Sequence, residues 1–128
     1  VLLVILMMVT ALWLKQGTAQ SDSGITGTWR GKLIAAQFDP LDIVLHIAGN
    51  GHESSYTATL DIPTHFRLGL PVSGVSLKNN NILVSIPTLD AEFFGSLTFD
   101  AGGLQVIALD GDWSQSGERI PLRLERSN

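Results

Sequence analysis

The chain has 128 residues, no cysteine, eight Lys and Arg against twelve Asp and Glu, and a formal net charge of −4. That length holds one hydrophobic core, not two, and the missing cysteines exclude disulfide staples, a lipidated cysteine and thiolate metal ligands. The acidic balance argues against a nucleic-acid partner, because phosphate backbones are held by Lys and Arg.

Val1 to Leu14 is apolar apart from Thr10, Lys15-Gln16 follows, and Gly17-Thr18-Ala19 supplies small residues before Gln20-Ser21. This pattern predicts a secretory signal over residues 1–19, truncated at its N-terminus because the basic n-region is missing and the first residue is Val. The apolar run is shorter than the roughly 20 residues a spanning helix needs, so no stable membrane span is expected. An exported chain without cysteine fits a bacterial periplasm or exterior. Residues 20–26 read as a polar leader and residues 27–126 as one folded domain.

The first strand is predicted over residues 28–36, with a break at Phe38-Asp39-Pro40. The second covers 41–48, where Leu41, Ile43, Leu45 and Ile47 alternate with Asp42, Val44 and His46, the period of two of a half-buried strand. Gly49-Asn50-Gly51-His52 is a hairpin signal. A third strand is predicted at 55–61. Residues 62–72, bracketed by Pro63 and Pro71, read as a loop with room for a turn of helix. Strands follow at 74–78 and 82–86 around the turn Asn79-Asn80-Asn81, then at 92–99, with Phe93, Gly95, Leu97 and Phe99 facing one way and Phe94, Ser96 and Thr98 the other. Asp100-Ala101-Gly102-Gly103 turns the chain into a strand at 104–109. Polar turns surround Asp110-Gly111-Asp112-Trp113 and residues 114–118, and Ile120, Leu122 and Leu124 mark the closing strand.

About eight short strands at roughly 8–12-residue intervals indicate a barrel or sandwich. Short links favour antiparallel up-and-down order, and closure removes exposed edges. The expected fold is therefore all-β, a single lipocalin- or streptavidin-like barrel, with a β-sandwich as the alternative. Gly31 and Gly95, inside strands, mark bends or close backbone approach.

Gly27-Thr28-Trp29-Arg30-Gly31, Ile43-Val44-Leu45-His46-Ile47, Leu70-Pro71-Val72-Ser73-Gly74, Phe94-Gly95-Ser96-Leu97, Gly111-Asp112-Trp113 and Ile120-Pro121-Leu122-Arg123-Leu124 occur in this order. Together they resemble a bacterial β-domain found ahead of exported α/β-hydrolases and serine β-lactamase-like proteins. The resemblance implies an accessory module that touches a hydrolase domain or another protein and leaves the chemistry to it. The chain departs after Leu60-Asp61, where Ile62-Pro63-Thr64-His65-Phe66 replaces the polar stretch of that family.

No Gly-x-Ser-x-Gly elbow or Ser-x-x-Lys pair is present, so the domain is expected to be non-catalytic and without cofactor. Asp42 and His46 stand about 13 Å apart along one strand, too far for one ion, and no metal site is expected. Asp110 with Asp112, and Asp90 with Glu92, are read as turn residues. The aromatic residues either fill the interior or line a pocket for a small apolar ligand. In the second case Trp29, Tyr56, Phe66, Phe94 and Trp113 are the candidate ligand-binding residues. Phe66, Leu68 and Leu70 are too apolar for a solvated loop, and a plug over one barrel mouth is favoured over an exposed contact patch.

Overall fold

A computed structural model describes residues 24–49 and 55–127. The predicted signal, and Asn50-Gly51-His52 of the hairpin turn, lie outside the described residues. Nine strands follow one another: β1 (Gly27–Ala35), β2 (Phe38–Gly49), β3 (Tyr56–Ile62), β4 (Arg67–Pro71), β5 (Gly74–Lys78), β6 (Asn81–Ile86), β7 (Ala91–Phe99), β8 (Val106–Gln115) and β9 (Glu118–Ser127). Two 3-10 turns interrupt them, at Pro63–His65 and Pro87–Leu89. The fold is all-β, as the alternation predicts.

The strands form one antiparallel sheet in the order β4-β3-β2-β1-β9-β8-β7-β6-β5. The first and last strands therefore meet in the middle, with Trp29 opposite Arg126. The two outermost strands, β4 and β5, run in the same direction and are separated only by Val72 and Ser73. The Val72 amide donates to the Ala58 carbonyl of β3 at 3.3 Å, and the next amide, of Ser73, donates to the Ser85 carbonyl of β6 at 2.9 Å. One continuous segment thus reaches both ends of the curled sheet. Its lower half pairs with β3 and its upper half with β6, so nine strands occupy eight positions around an up-and-down barrel.

Period-2 alternation explains which side chains fill the interior. Trp29, Leu33, Ile43, Leu45, Ile47, Leu60, Ile82, Val84, Ile86, Phe93, Leu109, Trp113, Leu122 and Leu124 are all buried. Ile25, from the stretch read as a polar leader, is also fully buried. The Trp29 indole N–H donates to its carbonyl at 2.9 Å. The Arg126 guanidinium lies 4.4 Å from the centre of the Trp29 ring, a cation–π contact, and donates to the carbonyls of Gly24, Thr26 and Val106. Arg126, in β9, thereby ties the chain's entry to β8 across the last strand.

Two inward glycine sites let strands approach too closely for any side chain. A Cβ on Gly31 would stand 2.3 Å from the Arg123 carbonyl oxygen, and one on Gly111 would stand 2.1 Å from that of Phe94. Gly111 pairs with Gly95 across β7 and β8, so the sheet bends there with backbone against backbone.

Several local expectations are corrected. Phe38-Asp39-Pro40 belongs to β2 rather than to a break, and Asp110 to Trp113 lie inside β8 rather than in a turn. Within 62–72 the turn of helix is present as a 3-10 turn, but the residues after it form an edge strand rather than a loop. An edge strand tolerates Pro71 because one of its sides donates to nothing. Val44 belongs to the outward set yet is only 3% exposed, flanked in register by Arg30 and Asp61.

Candidate functional site

The sequence-predicted residues are not brought together. Trp29 and Trp113 are core residues, Tyr56 is half-buried against the core, Phe94 is 57% exposed and Phe66 is 92% exposed. Four of the concavities at the described residues, of about 260 to 480 Å³, indent the outer surface, and neither indole lines these four. The indole of Trp113 donates to Gln115 Oε1 at 3.0 Å, and the Gln115 amide donates to the Leu89 carbonyl at 2.9 Å. The polar tips of both indoles are thus spent on the protein itself.

The least ordinary residue is Phe66. Ile62 leaves β3 with φ −124° and ψ 81°, Pro63 sets the first position of the 3-10 turn, and Phe66 closes it with its N–H on the Pro63 carbonyl at 2.9 Å. Phe66 closes the turn in the left-handed region, φ 57° and ψ 29°. For a residue with a bulky side chain this costs about 1–2 kcal/mol, and the ring gains no burial in return. Leu68, two residues on in β4, is 70% exposed. Of the apolar trio, only Leu70 packs against the core. The segment is therefore not a plug: it presents two apolar side chains outward from an edge strand.

A polar chain on the outer wall holds this strand. Asp61 Oδ1 accepts the Gly69 N–H at 2.7 Å, in the middle of β4. Its other oxygen lies 2.9 Å from His46 Nε2, and His46 Nδ1 lies 3.3 Å from the Thr28 hydroxyl. Burial pushes the Asp61 carboxyl up. The Gly69 N–H, the His46 hydrogen bond and charge, and the Arg30 charge together outweigh it and hold the group below its ordinary value. Thr28, His46 and Asp61 come from β1, β2 and β3, so the chain crosses three strands and ends on a fourth.

A hydroxyl, an imidazole and a carboxylate in that order is also the arrangement of a nucleophile relay. Here the hydroxyl contact is long, and the carboxylate's second oxygen is committed to the β4 backbone. A shallow concavity of about 300 Å³ lies over Thr28, His46 and Thr59. Through Asp61 the arrangement ties β4 to β3.

Of the remaining sequence candidates, Asp42 and Asp110 resolve into pairs. Asp42 meets Lys32 at 2.6 Å rather than His46. Asp110 accepts from Arg123 at 2.8 Å and from Thr98 at 2.6 Å. Asp90 does sit at a turn, whereas Asp112 and Glu92 stand in strands. No group of three or more His, Asp or Glu suited to a metal occurs among the described residues, and no described helix is long and apolar enough to cross a membrane.

The edge strand was missed because no period marks it, but a signal was present. Ile62-Pro63-Thr64 recurs as Ile86-Pro87-Thr88, and the second copy stands between two strands that the alternation does reveal. Reading the first copy by the second places a strand after it. Comparison with protein-family models gives no match, and comparisons with curated proteins and with solved structures give none either.

Proposed function

We propose that this barrel is a non-catalytic contact module that acts on another protein through the β4 edge, with Phe66 and Leu68 as its apolar anchors. The observation that carries the reading is Phe66 itself, held in a left-handed conformation with 92% of its surface in water. Neither the backbone nor the core gains from a phenylalanine there, and strain of this kind is a pointer to function. An open strand edge beside two exposed apolar side chains is a surface that another protein can cover. The resemblance to the β-domain of exported hydrolases supplies the class of partner, a hydrolase domain, and the apolar leader supplies the compartment, periplasm or exterior. The carrier reading, a small apolar ligand held inside, draws no support from an interior filled by Trp29, Trp113 and Phe93.

Site-specific photocrosslinking in the exporting cell tests this. A crosslinking side chain at position 66 or 68 is expected to give one defined protein adduct, and the same group at Glu125, on β9 four strands along the sheet from β4, none. Equal labelling at all three positions, or no adduct at any, overturns the reading. Tight uptake of a fatty acid by the purified chain would favour the carrier instead.

A further inference from the structure

We propose that the outer wall around Phe94 is a second docking surface, a groove that takes an extended, arginine- or lysine-bearing segment of a partner protein. It is independent of the β4 edge. Phe94 stands mid-strand in β7, with Leu83 of β6 and Asp112 of β8 directly opposite it. The Leu83–Phe94 pair forms an apolar ridge. A concavity of about 260 Å³ on one side and one of about 480 Å³ on the other are both lined by these two residues. The larger continues, through Glu92 and Ser114, into a third of about 430 Å³ that reaches the turn at Ser116-Gly117. The run follows β6 from Asn81 to Ile86, roughly 20 Å at strand rise, the span of about six extended residues.

Charge names the occupant. Elsewhere on the outer wall several carboxylates have partners: Asp42 pairs with Lys32, Asp110 and Glu125 share Arg123, and Asp61 lies against His46 Nε2 and accepts the Gly69 N–H. Along the groove, Asp90, Glu92 and Asp112 have no ion pair or side-chain hydrogen bond among the described residues, and they outnumber the cations of its lining, Arg119 and, at the Asn81 end, Lys78. An exposed phenylalanine between unpaired carboxylates offers a guanidinium or ammonium both a ring face and counter-charges. The molecule already uses this chemistry internally, with Arg126 over Trp29. The backbones of β6, β7 and β8 are paired on both sides, so recognition here runs through side chains and not by strand addition. A second copy of an acidic chain is repelled from the same face.

The probe is a short peptide alternating arginine and leucine, titrated into the isotope-labelled full chain and followed by amide chemical shifts, with a glutamate–leucine peptide as control. Shifts are expected to centre on Leu83, Glu92, Phe94 and Asp112, to weaken with added salt, and to be absent with the acidic peptide. Phe94→Ser, a change at an exposed side chain, is expected to raise Kd about tenfold or more, and Glu92→Gln with Asp112→Asn to do the same. The variants' unbound spectra report whether the barrel is intact. The proposal is overturned by no shifts, by shifts centred elsewhere, by equal response to the acidic peptide, or by an unchanged Kd in either variant. The same amides moving with protein concentration alone would assign the face to self-association and also overturn it.

Discussion

The two Ile-Pro-Thr turns build the same backbone and put it to different uses. Ile62 and Ile86 enter with φ and ψ within a few degrees of each other, and each turn closes on a left-handed residue whose N–H reaches the proline carbonyl. At the second turn that residue is Asp90, which tolerates the left-handed region, and the chain enters β7, paired on both sides. At the first it is Phe66, and the chain enters β4, which ends the sheet. The difference teaches that the turn is a device of the fold, used alike before a strand paired on both sides and before one that ends the sheet, and that only the second use carries an exposed phenylalanine.

The largest expected effect concerns the second turn, which is tied to the core through Trp113, Gln115 and the Leu89 carbonyl. Trp113→Ala should cost about 3–5 kcal/mol in equilibrium denaturation, and Trp29→Ala a similar amount. A loss under about 1 kcal/mol would mean that the indole is not a core element. Next is Gly111→Ala, which forces a Cβ against the Phe94 carbonyl where β7 meets β8. It should cost about 1–3 kcal/mol, while Gly74→Ala in β5, with nothing within 4 Å, should be nearly neutral. Equal costs would show that the close approach is not what holds β7 in place.

The first turn has no such tie to the core: the Asp42 N–H reaches the Thr64 hydroxyl at 3.4 Å and Asp61 holds the strand that follows, so Asp61→Asn should cost less, about 1 kcal/mol. Its signature is in pH. The Asp61 carboxyl is depressed on folding from 3.8, so its contribution is complete above that value and disappears as pH falls through the folded pKa. The acid limb of the stability curve should therefore be shallower in the variant. An unchanged limb would mean that Asp61 gains nothing from Gly69 and His46. Hydrogen exchange at Gly69 should quicken in the same variant.

How much of this is visible in the residues depends on where the information sits. The inward and outward sets of β1, β2, β6 and β7 follow from alternation, because burying one face leaves a period of two. The bend at Gly31 and Gly95 follows from glycine inside a strand. The edge strand β4 leaves no such trace: Leu68 faces water while Leu70 packs against the core, and Pro63 and Pro71 bracket the segment. Asp110-Gly111-Asp112 carries turn chemistry yet lies mid-strand, because Gly111 answers to Gly95 across the sheet rather than to its own neighbours. Phe94 belongs to the outward set by its own parity, so its exposure was legible even though it was first grouped with the interior aromatics. The His46–Asp61–Gly69 chain joins three strands, and no spacing along the sequence encodes it.

The smallest stability effect bears most directly on the account. If the phenylalanine at the close of the first turn serves something outside the fold, replacing it by a residue suited to the left-handed region should cost the barrel nothing. Equilibrium denaturation of Phe66→Asn should show stability unchanged or raised by up to about 1 kcal/mol. A loss of more than about 1 kcal/mol would show that Phe66 is a packing residue of the barrel, and would contradict the reading of β4 as its contact edge.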